Sequence, residues 1–308
     1  MGDVNWCVVA TSNNSTVYKG TFPAARGLPF IEFAKKVPLY KEYDWAYEKE
    51  MAVMTSMNHP NVLRPLAVTR DEKAAPAILM EYFPYGSVLD WMQHQQGQTM
   101  PLVLQLSVFL QVVNGLEYAH SRGIFHCDLK CANVLMREDF SAVIADWGWA
   151  LQGDEPITHP RGTIGYQPPE GALEATNGQR YDVYGLVAMG HDMLTGVPAC
   201  GILFEQYDAL PKETKKHLKA ACIEAGVPSD ASMRLSLALC EGIIPGIEEV
   251  VPQRELPQDV ALAMLHYCSM IERTFCNYAG QRAMFSLQSA RVIAEEARRK
   301  LINLQYRD

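Results

Sequence analysis

The sequence predicts an α+β fold of two lobes, a small β-rich N-terminal lobe with one main helix and a larger, mostly helical C-terminal lobe. Three observations lead to this prediction. The chain has 308 residues, which is too long for a single small module. Strand-like segments dominate up to about residue 83, whereas helical periodicity dominates after Pro84-Tyr85-Gly86. No repeat of about 20–50 residues interrupts this order. We therefore expect lobes at residues 1–82 and 83–308.

The elements follow from the spacing of the apolar residues. In the N-terminal lobe, strands are predicted at 6–11, 17–22, 30–37 and 78–82, with one helix at 43–57. The C-terminal lobe is predicted to begin with a long helix behind Pro101, because proline suits a helix start. The apolar face of this helix contains Leu102, Leu106, Phe109, Leu110, Val113 and Leu116. Short strands at 134–136 and 142–145 are expected next, followed by helices at 181–195, 212–225, 231–240, 259–274 and 286–304.

Composition and charge narrow the classes of function. Hydrophobic residues make up 48% of the chain and charged residues 20%, as in globular rather than disordered proteins. The net charge of −8 argues against a chain-wide surface for nucleic acid. No apolar run reaches the roughly 18 residues that span a bilayer, and the N-terminus lacks the apolar stretch of a signal peptide. We expect a cytoplasmic or nuclear protein without a nucleic-acid partner or a membrane span.

Eight cysteines are scattered along the chain without Cys-x-x-Cys spacing. A zinc site and a disulfide framework both need closer or regular spacing, so the pattern favours free thiols that are mostly buried.

The most informative stretch reads His-Cys-Asp-Leu-Lys-Cys-Ala-Asn at residues 126–133 and is followed by Asp-Trp-Gly at residues 146–148. Taken alone, Asp-Trp-Gly is an ordinary turn at the end of a strand. Together the two segments resemble the catalytic loop and the metal-binding triplet of eukaryotic-type protein kinases, which read His-Arg-Asp-x-x-x-x-Asn and Asp-Phe-Gly. The resemblance is to the Ser/Thr type and to the tyrosine-kinase-like group, and it implies a bilobal kinase fold that fills the chain.

Phosphoryl transfer explains these residue types, and the resemblance implies a role for each. Asp128 would accept the proton of the attacking hydroxyl, and Lys130 would neutralise charge on the moving phosphoryl group. Asn133 and Asp146 would supply oxygen ligands to the metal ions that bridge the phosphates. The implied cofactors are ATP and Mg²⁺, with Mn²⁺ as an alternative ion. Lys130, two residues after Asp128, favours the Ser/Thr type within this family.

Further segments match the family in its order. Residues 162–170 read Gly-Thr-Ile-Gly-Tyr-Gln-Pro-Pro-Glu and resemble the kinase segment that ends in Ala-Pro-Glu. Small-molecule phosphotransferases are an alternative class that shares a similar catalytic loop, but they lack this segment. The resemblance therefore implies a protein substrate with a Ser or Thr acceptor. It also implies that Asp182 braces the catalytic loop and that Arg282 pairs with Glu170.

In the N-terminal lobe, a glutamate and a lysine are placed to form an ion pair. Glu50 lies on the apolar stripe of the predicted helix, and a buried carboxylate needs a partner. Strand alternation puts Ala34 and Lys36 on one face, which favours Lys36 over Lys35 as this partner. The pattern resembles the family's Val-Ala-x-Lys, in which Ala packs on adenine and Lys holds the phosphates. The plain alternative is a pair of solvated surface charges.

The same resemblance implies an adenine site between the lobes. Residues 78–82 read Ile-Leu-Met-Glu-Tyr, as in the segment that joins the lobes in relatives. Met80 would lie beside adenine, and Glu81 and Phe83 would offer backbone groups to its edge. Leu135 is also placed among the nucleotide-binding residues.

The loop that covers the nucleotide in the family departs from the pattern most. Instead of Gly-x-Gly-x-x-Gly-x-Val, residues 10–17 read Ala-Thr-Ser-Asn-Asn-Ser-Thr-Val. Glycine allows the backbone to approach phosphates closely, so nucleotide binding would be weakened or altered. Two interpretations stay open, a plain turn with no nucleotide role and an adapted loop whose polar side chains donate to phosphate. The adapted loop would bind through Ala10, Ser12, Ser15 and Val17.

Two hypotheses from different classes follow. The first is an ATP-dependent Ser/Thr protein kinase that acts in signalling, since the residues for ATP, metal and hydroxyl positioning are all retained. The second is a pseudokinase, a nucleotide-tuned scaffold or allosteric module, as the lost glycines, Cys127 for Arg and Trp147 for Phe suggest. Cys127 also argues against switching by a phosphate on the activation segment. A regulatory protein partner at the lysine-rich stretch 212–219 of the C-terminal lobe is a further hypothesis.

Overall fold

A five-stranded antiparallel sheet forms the N-terminal part of the molecule in the computed structural model, with the spatial order β1-β2-β3-β5-β4. The described residues are 4–12, 15–22, 31–41, 44–70, 75–94, 100–153, 155, 157, 161–163, 165–168, 178–196, 212, 257–275 and 286–305. The strands of the sheet are β1 (Asn5–Thr11), β2 (Ser15–Phe22), β3 (Ile31–Pro38), β4 (Ala67–Arg70) and β5 (Pro76–Glu81). Helix α1 (Asp44–Ser56) lies between β3 and β4 in the chain.

Four of these strands and α1 agree with the sequence prediction to within two residues at each end. Strand β4 is an addition that the pattern does not predict. Its four residues are all exposed, so they show no alternation of apolar and polar positions. Its pairing with β5 alone places it at the edge of the sheet.

The C-terminal part is mainly helical. Its elements are α2 (Val88–His94), α3 (Leu102–Ser121), β6 (Ile124–Phe125), β7 (Val134–Met136), β8 (Ala142–Ile144), β9 (Leu151–Gln152), α4 (Gly178–Thr195), α5 (Gln258–Phe275) and α6 (Leu287–Gln305). Single 3₁₀ turns lie at Cys131–Asn133 and Trp147–Trp149. The predicted helices at 212–225 and 231–240 fall outside the described residues, apart from Lys212. A β-rich part followed by a helical part confirms the predicted α+β class, whereas the lobe boundary at residues 82 and 83 stays a prediction.

Helix α2 is a second element that periodicity does not predict, because seven residues are too few to show a repeat. A capping box starts it. The amide of Asp90 donates to the hydroxyl of Ser87 (3.1 Å), and the amide of Ser87 donates to the carboxylate of Asp90 (2.8 Å). The spacing Ser-x-x-Asp is the sequence signal that marks this helix start.

Helix α3 is the central helix of the C-terminal part and packs against α4 and α6. Pro101 stands at its N-cap, as the sequence predicts. Among the helices described, α3 alone is long and apolar enough to cross a membrane by length and composition. Of its most apolar 18-residue window, 61% is buried inside the protein. The core helix of a soluble protein passes the same test, so this is weak evidence for a span.

The segment between α1 and β4 attaches the N-terminal sheet to the C-terminal part. The amide of Leu63 donates to the carbonyl of Ile144 (2.8 Å), and the amide of Ile144 donates to the carbonyl of Asn61 (2.9 Å). Gly115 of α3 lies directly beneath this junction. A Cβ atom at Gly115 would lie 2.8 Å from both the Asn61 carbonyl oxygen and the Ile144 Cδ1. The close approach of loop and helix therefore requires glycine.

The variant Gly115→Ala is expected to lower the free energy of unfolding by about 1–2 kcal/mol, measured by urea denaturation. Helix propensity alone favours alanine by about 1 kcal/mol, but the backbone of Asn61 cannot yield as a flexible side chain would. His266→Ala, at an exposed position inside α5, serves as the control and should leave stability unchanged or slightly raised. A Gly115→Ala protein as stable as the wild type would contradict this packing argument.

Candidate active site

Every residue predicted for the site lines one cavity of about 1070 Å³ between the sheet and the helical part. The residues are Ala10, Ser12, Ser15, Val17, Ala34, Lys36, Glu50, Met80, Glu81, Phe83, Asp128, Lys130, Asn133, Leu135 and Asp146. They come from the sheet, from α1 and from the segments around β7 and β8. A cavity of this size is large enough for a nucleotide.

Lys36 links three elements at the back of this cavity. Its ammonium nitrogen donates to both carboxylate oxygens of Glu50 on α1 (2.9 and 3.0 Å) and to Oδ1 of Asp146 (2.9 Å). The side chains of Lys36 and Glu50 are only 14% and 4% exposed, so they are not solvated surface charges. Lys35 points to the other face of β3, where its ammonium lies 4.0 Å from the ring centre of Trp6. The structure thus places Lys36, as strand alternation predicts, beside Glu50.

The charges around Lys36 set the protonation of the three groups. Burial by itself lowers the pKa of Lys36, but the carboxylates of Asp146 and Glu50 outweigh burial, and the pKa lies above its ordinary value. The Lys36 ammonium holds the pKa of Asp146 below its usual range. Burial raises the pKa of Glu50, and Lys36 offsets only part of this effect. Lys36 and Asp146 are therefore both charged near neutral pH.

Removing the charge of Asp146 is expected to have a pH-dependent effect on stability. A lowered pKa stabilises the folded protein above the ordinary carboxyl range near pH 4, and this contribution is lost as the pH falls through the folded-state pKa. The difference in free energy of unfolding between wild type and Asp146→Asn should therefore be largest at about pH 7 and shrink toward about pH 3 in urea denaturation.

Glu48→Gln is the control for this series, since Glu48 and its partner Arg70 are 55% and 59% exposed. It should change the free energy of unfolding by less than about 0.5 kcal/mol. A difference between wild type and Asp146→Asn that stays constant with pH would contradict the assignment of the ion pair.

Asp128 accepts three side-chain hydrogen bonds although it is 4% exposed. The hydroxyl of Thr163 donates to its Oδ1 (2.7 Å), and Lys130 Nζ (3.0 Å) and Asn133 Nδ2 (3.1 Å) donate to its Oδ2. Lys130 Nζ also donates to the hydroxyl of Thr163 (2.6 Å), which closes a ring of three side chains. The carboxylate is thereby held in one orientation, with a lysine ammonium beside it.

Asp182 of α4 fixes the start of the loop that carries Asp128. It is fully buried, and its two carboxylate oxygens accept hydrogen bonds from the backbone amides of His126 (2.8 Å) and Cys127 (2.7 Å). Nε2 of His120 lies 2.7 Å from the same Oδ2. This contact pattern is the bracing arrangement that the resemblance implies for Asp182. The backbone of Cys127 is held at a φ of 61°, a left-handed value that costs a non-glycine residue about 1–2 kcal/mol.

The side chain of Cys127 is 3% exposed, and burial raises the pKa of its thiol. Cys127 is therefore a neutral, buried thiol and not a charged group that could pair with a phosphate. Of the described cysteines, Cys131 and Cys268 are buried as well, whereas Cys7 on β1 is exposed. The expected pair of Arg282 with Glu170 falls outside the described residues.

Asp146 and Trp147 adopt a compact turn after β8. Asp146 has left-handed backbone angles (φ 62°, ψ 65°), a strained conformation. The hydrogen bond from Lys36 to its carboxylate helps to keep the residue in this conformation. Trp147 is fully buried, its Nε1 donates to the carbonyl of Ile144 (3.2 Å), and its ring packs edge-on against His126 at 4.7 Å. Tryptophan in place of phenylalanine is thus accommodated inside the core.

The residues that the resemblance assigns to an adenine site line the same cavity. Ala34 of β3 and Met80 of β5 are directly paired across the sheet, and both are buried. Phe83 is buried too, whereas Val17 and Leu135 are half-buried against the core. These apolar side chains all line the cavity and form a suitable environment for a flat aromatic ring.

Two serines tie the ends of the loop between β1 and β2 together. The hydroxyls of Ser12 and Ser15 lie 2.8 Å apart, and the amide of Ser12 donates to the carbonyl of Ser15 (2.9 Å). Asn13 and Asn14 fall outside the described residues. The serine pair therefore fixes the hairpin without glycine, and both serines line the cavity.

The donor set suits a divalent ion that is held largely by phosphate oxygens. Asp146 supplies a carboxylate and Asn133 an amide, and Mg²⁺ is commonly bound by one or two carboxylates together with substrate phosphates. Within the described ranges, no group of three or more His, Cys, Asp or Glu side chains forms a metal site by itself. The residues therefore fit a metal that arrives with a nucleotide.

Two sets of contacts in the site could not be predicted from the sequence. Thr163 joins Asp128 and Lys130 across 35 and 33 positions of the chain, although the sequence places it only in a segment that faces the substrate. Arg137 forms a two-pronged ion pair with Glu81. No local pattern marks Arg137, because its partner lies 56 residues away.

The sequence is similar to those of known proteins of one family. The family model described as protein kinase domain matches residues 13–233. Mitogen-activated protein kinase kinase kinase 18 of Arabidopsis thaliana is 35% identical over 159 residues, which cover 48% of this chain and 47% of that protein. Wall-associated receptor kinase-like 14 of Arabidopsis thaliana is 30% identical over 155 residues, 48% of this chain and 22% of that protein.

A probable leucine-rich repeat receptor-like protein kinase of Arabidopsis thaliana, At5g49770, is 30% identical over 188 residues, 58% of this chain and 20% of that protein. The matches span about half or less of the length of these relatives. Since the family model covers more than two thirds of the sequence, the chain belongs to the protein kinase domain family. Membership implies the use of ATP and a divalent metal ion in general.

Proposed function

We propose that the chain is an ATP-dependent Ser/Thr protein kinase, which transfers the γ-phosphoryl group of ATP to hydroxyl groups of protein substrates. One observation carries the proposal. The Lys36–Glu50–Asp146 cluster and the Asp128–Lys130–Thr163 ring line the same cavity. Groups that can bind phosphate, bind a metal ion and accept a proton from a substrate hydroxyl are therefore close to one another.

Asp128 is the residue that accepts the proton of the substrate hydroxyl. The donation from the Thr163 hydroxyl to Asp128 (2.7 Å) supports this role, since an acceptor serine or threonine would make the same bond. Lys130, 3.0 Å from the carboxylate, stabilises negative charge that develops on the transferred group. Three hydrogen bonds keep the Asp128 carboxylate oriented, so little reorganisation is needed at the moment of reaction.

Lys36 binds the α- and β-phosphates, and Glu50 keeps its ammonium in place. Asn133 and Asp146 would hold Mg²⁺, or Mn²⁺ as an alternative. A metal held there would supply positive charge that neutralises the phosphate groups of ATP. Ala34 and Met80 enclose the adenine ring, while Glu81 and Phe83 offer backbone groups to its edge.

The pseudokinase alternative is not favoured. It rests on the missing glycines, Cys127 and Trp147, none of which removes a group that the transfer needs. The serine-tied hairpin supports an adapted loop over a plain turn, since Ser12 and Ser15 line the same cavity as Lys36. A signalling role, a cytoplasmic or nuclear location and a regulatory partner on the C-terminal part belong to the same proposal. Imaging and crosslinking of the tagged full chain test these three points.

The test is single-turnover transfer from labelled ATP with Mg²⁺ or Mn²⁺, to the protein itself and to a generic basic protein. Phosphoserine or phosphothreonine in the product supports the proposal, whereas phosphotyrosine alone would contradict the Ser/Thr assignment. Transfer only to a small-molecule hydroxyl would place the chain among small-molecule phosphotransferases. If ATP binds but no transfer exceeds that of Asp128→Asn, the pseudokinase reading replaces this one.

A further inference from the structure

Two side chains of the turn between β7 and β8, residues 137–141, reach across to the segment that joins the sheet to the helical part, residues 81–86. We call these segments the turn and the hinge. The first contact is a fork, in which Nε and Nη2 of Arg137 donate to the two carboxylate oxygens of Glu81 at 2.7 and 2.9 Å. Parallel bonds of this kind fix orientation as well as distance.

Arg137 has further partners beyond the hinge carboxylate. Its Nη1 donates to the carbonyl of Pro60 (3.2 Å) and to the hydroxyl of Ser141 (3.3 Å). Its guanidinium lies 5.7 Å from the ring centre of Phe83, which is also in the hinge. One side chain therefore ties together the hinge, the segment after α1 and the turn itself.

The second contact is a stack of two aromatic rings. The rings of Tyr85 in the hinge and Phe140 in the turn are parallel to within 2°, with centres 5.7 Å apart. Phe140 has a φ of 63°, a left-handed value that a phenylalanine rarely adopts. This angle is unfavourable for a residue with a side chain, and it directs the Phe140 ring toward the hinge.

An ordinary surface ion pair is the competing interpretation. Arg70 and Glu48 form such a pair through one bond of 3.2 Å, with side chains 59% and 55% exposed. The Arg137 and Glu81 side chains are less exposed, at 30% and 41%, and Arg137 makes four hydrogen bonds. A pair with this many fixed contacts holds its geometry far better than the exposed one.

We propose that the turn is a clamp, which holds the hinge backbone in the geometry that receives the nucleotide base. Arg137 and Phe140 are then positioning residues, because they act through Glu81, Phe83 and Tyr85. The inference rests on the proposed function, since the hinge is taken to bind adenine. Preorganising the hinge lowers the ordering cost of binding, so the clamp affects nucleotide affinity more than the transfer step.

The first test compares Arg137→Ala with wild type in two measurements on the full chain. The dissociation constant of a non-hydrolysable ATP analogue should rise about tenfold, and kcat at saturating ATP should stay within about twofold. Amide hydrogen exchange at residues 81–86 should be faster without any nucleotide. Arg299→Ala, which removes an exposed two-pronged pair with Glu296 on α6, is the matched control and should change none of these values.

Two more variants separate positioning from folding. Phe140→Gly suits the left-handed backbone but removes the ring, so the analogue should bind about threefold more weakly while the fold is kept. The swap Glu81→Arg with Arg137→Glu should recover part of the affinity that either single change loses.

The failures of the two proposals differ. Unchanged hinge exchange and unchanged analogue affinity in Arg137→Ala would overturn the clamp, whatever the transfer activity. Faster exchange with unchanged affinity would overturn it as well, since the turn would then have no effect on the nucleotide. If wild type transfers no phosphate but both hinge effects appear, the proposed activity fails and the clamp stands.

Discussion

Replacing Asp128 by asparagine is expected to lower the rate of phosphoryl transfer at least about 100-fold, because a general base contributes about 10²–10⁴ to the rate. Asparagine keeps the shape of the side chain but cannot take the proton. In the asparagine variant, the amide nitrogen that replaces one carboxylate oxygen is a donor. It therefore cannot accept the hydrogen bonds that Thr163, Lys130 and Asn133 donate to the carboxylate of Asp128. We expect a stability loss of about 1–3 kcal/mol in addition.

Single-turnover transfer and urea denaturation on the same protein samples measure the two effects. Asp259→Asn is the control, since Asp259 pairs with Lys300 on the surface between α5 and α6, far along the chain from the site. It should transfer phosphate at the wild-type rate. A rate within about tenfold of wild type in Asp128→Asn would remove Asp128 from the role of base.

The local parts of the site could be predicted from sequence because short spacing fixes them. Residues 126–133 and 146–148 carry side chains that meet in one cavity, and the alternation of β3 alone distinguishes Lys36 from Lys35. The strands and helices with clear periodicity also appear within three residues of their predicted bounds. In each case, the information lies within about one element of the chain.

The remainder depends on contacts between distant residues. Nothing near Arg137 indicates that Glu81 will face it, and the ring formed by Thr163 exists only after the segment around 163 folds over the catalytic loop. Strand β4 has no buried face, so its pairing with β5 is its only defining feature. The serine pair of the first hairpin likewise depends on a turn whose closure the sequence leaves open.

Replacing Lys36 by methionine is expected to abolish transfer and to destabilise the fold by about 3–5 kcal/mol. The variant leaves Glu50, which is 4% exposed, without its cation inside the protein. Asp146 is affected less, because 43% of its side chain is exposed and water can replace the lysine. Burial already raises the pKa of Glu50, so without Lys36 this carboxyl takes up a proton more readily.

Two further variants decide whether the stability loss in Lys36→Met comes from the unpaired charge of Glu50 or from lost packing. The double variant Lys36→Met with Glu50→Gln removes the unpaired charge and should recover a large part of the stability but none of the transfer, since no cation then faces the phosphates. Lys35→Met, the neighbouring position on the opposite face of β3, loses its contacts with the rings of Trp6 and Tyr18 and should cost about 0.5–1 kcal/mol with transfer retained. Equal stability losses at positions 35 and 36 would contradict a buried ion pair, and transfer by Lys36→Met would show that another group holds the phosphates.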